Sequence, residues 1–372
     1  MRPVLWFAIL TCGAGCGAAV GDPPDDLGPR ADVGDAGTIR DTGPSDTAIG
    51  NEAGPGDLGD TDLGSNPDAA PADTGPDDTG VSPDAGSPTG RGVFLVGGDG
   101  KALLTSFDGT NWNTIYSDNG VYEDLIRGVA GGDGVLVAVG GGNNTSQVLV
   151  STDGTNFEAR SPGLGDWIGG AAFLGDDLIV VGGNGLRLRS SDQGRNFGDR
   201  GGYYEGHFRA VASGGGRVLA VGDTYGSQNV GLSSSTTDGR TWSPVQTGGE
   251  KLWAVAYGNG RFVAVGDNGR CTSTTDGAAF EERQCGNAAL YQVTFGDGHF
   301  VTSNGSTQYT STDGLSWTPD NVATPYRQAY GDGIWVGVGG DAHRYRSTDG
   351  RTFMRTSTQP GPGRWVAFGR VP

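Results

Sequence analysis

Seven positions in the chain share one local context, and their side chains could bind an anion. Short apolar segments, aligned on the Gly turn that follows each, put Arg127, Gly169, Arg209, Trp253, Tyr291, Tyr326 and Arg364 at one place, with Arg327 and Trp365 a residue later in the last two. Three Arg among aromatic residues in a concave site suit a carboxylate, sulfate or phosphate group, and the rings suit stacking on a sugar or other flat ligand. The competing reading is that these residues plug a channel and pair with nearby Asp. A second group lies in GGYYEGHF, where Tyr203, Tyr204, Glu205 and His207 fall within five residues. Tyr204, Glu205 and His207 are the candidates for covalent or general-base chemistry. The rival there is a plain polar loop. A third group is spread over short turns: Asn143, Asn144, Tyr225, Gln228, Asn229, Asp267, Asn268, His343 and Arg344. Amides and Asp of this kind occur in glycan binders and equally in solvated turns.

Other chemistry is absent from the pattern. Gly-rich phrases such as GGDG match loose phosphate-loop patterns, but no Gly-Lys-Ser/Thr follows any of them and no strand-to-helix context exists. No Gly-x-Ser-x-Gly elbow stands on a strand–helix turn, and only His207, His299 and His343 could serve a triad. A zinc site is disfavoured because no His stands near a Cys in sequence. No metal and no cofactor is implied. Cys271 and Cys285 flank one repeated phrase symmetrically, which sets them opposite each other across a hairpin. A disulfide there fits a secreted protein, with two free thiols as the alternative.

The elements that must position these residues come from composition and repeats. The chain has 372 residues, 72 of them Gly, 35% hydrophobic and 18% charged, with a net charge of -18. No Gly-X-Y period appears, so collagen is excluded, and so much Gly argues against a helical protein. The negative balance argues against nucleic acid as a partner, because the sign is wrong for phosphate. Residues 1–16 read as a secretory signal, too short to span a bilayer. Residues 17–90 carry 16 acidic residues against Arg30 and Arg40, with ten Pro and no aromatic residue. Such a segment cannot bury enough apolar surface to offset chain entropy and is expected to be a disordered acidic linker. Residues 91–372 carry 22 basic and 27 acidic residues and all aromatics except Trp6 and Phe7. They are enough for one large core.

Within 91–372 one phrase recurs seven times, from SFDGTNW at 106 to STDGRTF at 347. Its Asp residues are Asp108, Asp153, Asp192, Asp238, Asp276, Asp313 and Asp349, spaced 36 to 46 residues apart. A Ser or Thr stands two places before each Asp, and Trp or Phe follows at four places, or five in the third copy. Between the copies run a short apolar strand, a Gly-Asx-Gly type turn and a Val-rich strand. Each unit therefore reads as four short antiparallel strands, here called A to D from the first apolar strand outward. A repeat near 40 residues of this kind predicts a β-propeller. Residues 93–116 supply B, C and D without an A, and 364–370 supply an A alone. Together they make the seventh blade and remove the open sheet edge. The expected fold is thus all-β: a seven-bladed propeller of four-stranded antiparallel blades, closed by strands from both ends of the domain.

The repeated phrase resembles the Asp-box, or BNR repeat, of the form S-x-D-x-G-x-x-W. Only the copy at 190 has the full length; the others are one residue shorter. The resemblance covers nearly all of 93–372. It implies that the seven Asp are structural, in a turn between strands C and D. Asp-box propellers include sialidases, xyloglucan hydrolases, sorting receptors and the photosystem II assembly-factor type. The Tyr–Glu pair resembles a sialidase nucleophile and base, but sialidases have six blades and an Arg-Ile-Pro phrase that is missing here. The N-terminal stretch resembles a bacterial lipoprotein signal. It favours Cys16, after Gly13-Ala14-Gly15, as the lipidated residue, over Cys12 or an ordinary cleaved signal.

The expected function is a non-catalytic, surface-displayed binding propeller, monomeric, recognising a glycan or an envelope protein at its channel mouth. It would be exported across the inner membrane and held at the outer membrane or cell surface only by its lipid. The alternatives are a polysaccharide-active hydrolase or lyase at the same mouth and an envelope assembly or scaffold factor.

Overall fold

The computed structural model describes residues 90–372, apart from 99–102, 117–124, 133, 143–144, 161, 199–205, 226–229, 321, 340, 342, 358–362 and 364. The lipidation candidate Cys16, the acidic segment, Tyr203, Tyr204, Glu205 and Arg364 lie outside the described residues.

Seven antiparallel sheets form the ring. Blade 1 is built from both ends of the domain, in the order Trp365–Val371, Arg91–Gly97, Leu103–Ser106, Asn113–Tyr116. The last strand of the chain is its innermost and pairs along its whole length with Arg91–Gly97, from Arg91↔Val371 to Gly97↔Trp365. The A strands of blades 2 to 7 are Leu125–Gly131, Ile168–Leu174, Gly206–Gly214, Leu252–Gly258, Val293–Gly296 and Arg327–Gly331. Among the described residues blade 3 shows three strands and, beyond them, a single bridge between Arg189 and Gly198, with hydrogen bonds of 3.2 and 2.9 Å.

The B strands explain why the sequence shows continuous Val-rich runs rather than alternation. Each is covered on both faces by its neighbours, so both faces are apolar. Leu136–Gly141 and the FVAVG stretch of Arg261–Gly266 are buried throughout. The core accordingly lies between blades. One cluster joins Val137, Val139 and Val148 of blade 2 to Ile168, Leu178 and Val180 of blade 3. Between blades 6 and 7 the seam is partly polar, with Gln292 Nε2 and Thr294 Oγ1 donating to the Gln328 carbonyl at 2.6 and 2.5 Å.

Two repeated devices hold neighbouring blades together. The first is the repeated phrase itself. In all seven copies the Ser or Thr hydroxyl donates to the Asp and accepts the N–H of the phrase's Gly, as in Ser311 Oγ→Asp313 Oδ1 (2.9 Å) and Gly314 N→Ser311 Oγ (2.8 Å). The Asp carboxylate also accepts backbone N–H groups beyond the Gly, in that copy from Leu315 and Ser316, both at 2.8 Å. The side chains thus close the turn that the backbone alone would leave unsatisfied. The longer third copy absorbs its extra residue by placing Gln193 at φ 59°. The turn Gly has φ between 67° and 84° in every copy. In six copies it also meets the preceding blade: a Cβ on Gly314 would overlap Val263, and one on Gly109 would overlap Val336, whereas Gly350 meets Trp335 of its own blade.

The second device was not read from the sequence. An aromatic residue near the end of one A strand lies flat on the Gly that closes the A strand of the blade before it. Tyr257 covers Gly214, Phe295 covers Gly258, Tyr330 covers Gly296 and Phe368 covers Gly331. Any Cβ there would enter the ring.

Two predictions follow from these devices. Gly258→Ala is expected to cost about 1–3 kcal/mol through overpacking. Gly248→Ala, at an ordinary φ with nothing within 4 Å, is expected to be near neutral. Thermal unfolding of both variants measures the contrast. The second prediction concerns acid. The backbone N–H groups of Ser316 and Leu315 hold the Asp313 carboxyl down to about 2. A depressed carboxyl contributes stability above its unfolded value near 4, and that contribution is lost as pH falls through about 2. Asp313→Asn should therefore lower Tm at pH 7, and the gap to the parent should narrow between pH 4 and pH 2. A gap that stays constant with pH would refute the ionic role.

Candidate functional site at the channel mouth

In four consecutive blades the A strand carries a β-bulge. The register slips between Ile126 and Gly128, between Ile168 and Gly170, between Phe208 and Ala210, and between Leu252 and Ala254. The skipped residues are Arg127, Gly169, Arg209 and Trp253, the aligned positions singled out above. A bulge adds one residue against a single partner and re-aims its side chain. All four line one cavity of about 140 Å³ at the ring centre, together with Tyr291, Arg327 and Trp365.

Two expectations need adjustment. Tyr326 is not among the cavity's lining residues; it lies against Gly305 of the neighbouring blade, and Arg327 stands in the wall instead. Gly169 is Gly for a steric reason, since a Cβ there would press on the Trp167 ring and the Phe208 carbonyl. Trp167 fills the space that a side chain at 169 would take.

The cations are held by acids and by rings. Arg209 makes a two-pronged ion pair with Asp223, through Nε to Oδ1 and through Nη2 to Oδ2 at 3.0 Å. Lys251 Nζ approaches the same carboxylate at 3.8 Å. Trp253 Nε1 donates to Asp267 Oδ1 at 2.7 Å. Asp223 follows Arg209 by 14 residues, and Asp267 follows Trp253 by the same interval. At the equivalent place in blade 2 the Gly141 carbonyl accepts from Arg127 Nε at 3.3 Å. One backbone geometry therefore supplies an acceptor to each of the three bulged side chains.

Ring faces are occupied by charge. The Arg209 guanidinium lies 4.6 Å from the Trp253 ring centre and Lys251 Nζ 4.3 Å from it. Arg327 stands 3.7 Å over Trp365, and Arg127 5.0 Å over Trp167. These cation–π contacts keep the guanidinium groups in place at a partly desolvated site. Of the aligned aromatic residues, Trp253 and Trp365 thus carry cations.

Beside the cavity runs a rim of aromatic groups. His207 packs between Trp167 and Tyr225, at ring separations of 5.2 and 4.6 Å. Tyr225 donates its hydroxyl to Asn184, whose amide donates to Asp166. Burial, then Arg209, Lys251 and Arg127 against the opposing pull of Asp223, pushes the His207 imidazole down to about 4. Burial is the larger part of that depression, and the neighbouring cations add to it. His343 and Arg344 are engaged elsewhere, His343 Nδ1 with Ser357 Oγ at 3.0 Å and Arg344 5.7 Å over Trp112. Cys271 and Cys285 are joined in a disulfide across blade 5, with Cα atoms 5.7 Å apart. Among the described residues no group of three or more His, Cys, Asp or Glu could hold a metal ion.

Sequence reasoning missed Trp167, Lys251 and Asp223. A signal for each was present. Trp167, His207 and Lys251 each stand two residues before a bulged position, on the same side of a strand by its period of two. Asp223 and Asp267 both end the phrase Ala-Val-Gly-Asp.

The closed ring of seven sheets defines the class: a seven-bladed β-propeller. No family model matches the chain, and no curated protein matches it. Among solved structures it is similar to YCF48 bound to D1 peptide, at 14% identity and TM-score 0.48, covering 76% of this chain and 89% of that chain. It is similar to the WD40 propeller domain of Doa1 at 14% identity and TM-score 0.48, covering 63% and 83%. The mitotic checkpoint complex contributes a chain at 11% identity and TM-score 0.51, covering 65% and 80%. At these identities the likeness is one of fold.

The Arg209–Asp223 pair gives a prediction about stability. Arg209→Met leaves a carboxylate of 4% side-chain exposure with Lys251 at 3.8 Å as its remaining ion-pair partner. The expected cost is about 3 kcal/mol. Adding Asp223→Asn should recover part of it, as read by chemical denaturation. A double variant no more stable than Arg209→Met would count against the pair.

Proposed function

We propose that this propeller is a binding module that captures an anionic group of a glycan or protein partner at its channel mouth. One observation carries the reading. Three bulged side chains, Arg127, Arg209 and Trp253, meet Arg327 in one central cavity, and aromatic rings hold the cations there. A bulge interrupts strand pairing, and in three of the four blades it aims a charged or aromatic side chain at the cavity. The mouth carboxylates Asp223 and Asp267 bond to Arg209 and Trp253, which favours an orienting role over hydrolysis. That supports binding over the hydrolase or lyase alternative. A scaffold role would use the same mouth as its docking point.

Display at a cell surface on a lipidated, acidic tether remains part of this proposal. Arg91, where blade 1 starts, pairs with Val371, whereas Gly97 pairs with Trp365 in the cavity wall. The chain therefore enters the ring at the end of blade 1 away from the mouth, about 20 Å along the strand. The hydrogen bonding of the seven repeated turns supports the Asp-box reading of the phrase.

The test is a glycan array together with pull-down from the cell envelope, using the full chain and an Arg127→Ala/Arg327→Ala variant. Each specific ligand found should bind the variant at least about tenfold more weakly, since a charge-assisted contact is worth more than 1.4 kcal/mol. Undiminished binding by a folded variant would move the site away from the mouth.

A further inference from the structure

His207 is unlike the other groups at the mouth, because its charge can change. It stands second in the A strand Gly206–Gly214 and pairs in register with Asp223. Its ring is clasped between Trp167 and Tyr225, and its Nδ1 is buried with no hydrogen-bond partner among the described residues. The charged groups around it come from every neighbouring element. Arg209 lies two residues on in the same strand, Asp223 on strand B of the same blade, Lys251 just before the next A strand, and Arg127 behind Trp167. Asp166 of blade 3 accepts from Asn184, which in turn accepts from the Tyr225 hydroxyl. Asp223, shared between Arg209 and Lys251, draws the imidazole toward its charged form and so opposes those cations.

We propose that His207 is a proton-switched cation of the anion site, neutral in the free protein and protonated when an anionic group binds. The inference rests on the reading of the mouth as an anion site. Burial is the first reason the imidazole stays neutral, and a negative group among Arg127, Arg209 and Lys251 offsets the repulsion that those cations add to it. An opposite charge within roughly 4–6 Å favours the charged form. A ring nitrogen lone pair then takes a proton from solvent, and no other bond changes. The protonated ring adds one donor and one positive charge to the site.

The linkage has a definite sign. The free imidazole titrates at about 4. Once the ligand raises that value, binding takes up a proton at any pH between the free and bound values, and affinity rises as pH falls through this window. Above the bound value affinity is flat, and below about 4 it is flat again. A rise of two units in the bound state makes affinity at pH 5 roughly tenfold greater than at pH 7.5.

The experiment uses the full chain and methanesulfonate, a side-chain-sized anion that stays ionised throughout the range. Imidazole proton resonances are followed by NMR from pH 4 to 8, with and without the anion, and His299 and His343 serve as internal references. The expected result is a rise of His207 by about two units and affinity about tenfold greater at pH 5 than at pH 7.5. In His207→Gln that affinity ratio should collapse to about one. Binding of methanesulfonate that shifts the Trp253 indole signal but leaves the His207 titration unmoved overturns the inference and leaves the anion site standing. So does a pH dependence that survives in His207→Gln. A folded protein that shows no response at about 100 mM anion, far above a millimolar dissociation constant, removes the anion site and the inference with it.

Discussion

The structure depends on how closely neighbouring blades can approach each other. Flat packing of seven sheets around one axis brings backbones together at the inner and outer ends of each strand pair. At those points no Cβ fits. Gly258 under Phe295 and Gly331 under Phe368 meet the constraint near the axis, and Gly314 against Val263 meets it at the periphery. The peripheral Gly must also adopt a positive φ, which non-glycine residues rarely do. The abundance of Gly in this domain therefore follows from ring geometry as well as from tight hairpins.

The repeated turn illustrates how side chains substitute for backbone pairing. A strand C that turns sharply into strand D leaves several N–H groups without partners. The Asp carboxylate takes two of them, and the Ser or Thr hydroxyl takes that of the Gly. The charge on the Asp is held by those donors, which is why Asp238 and Asp313 both titrate at about 2. The same turn then offers its Gly to the preceding blade. Local satisfaction and packing between blades are one feature.

The mouth uses the repeat differently. Position 127 and its counterparts leave the ladder through a bulge, which sets them in the cavity wall. The acceptor 14 residues later is supplied by the fold, as a carbonyl at Gly141 and as carboxylates at Asp223 and Asp267. Blades 4 and 5 thus carry acids where blade 2 carries only backbone. Cation–π contacts with Trp167, Trp253 and Trp365 then spread the positive charge around the cavity.

Much of this was legible in the sequence. The seven Asp, the Ser or Thr before them and the Val-rich strands predict blade number and strand order, because each residue acts within its own unit and the units repeat. Closure of blade 1 by both ends was legible from the unpaired A strand near the C-terminus. The alignment also found Arg127, Arg209, Trp253 and Tyr291. Three matters needed the tertiary structure. Tyr326 and Arg327 are adjacent in sequence, and only packing against Gly305 decides which of them reaches the cavity. The rings of Trp253 and Trp365 read as ligand platforms until their distances to Arg209, Lys251 and Arg327 show that they carry cations. The field at His207 is set by residues from three blades, far apart in the chain and brought together by ring closure. Sequence determined the repeating unit because its causes are local. Tertiary structure decided the site because charge and ring contacts act between units.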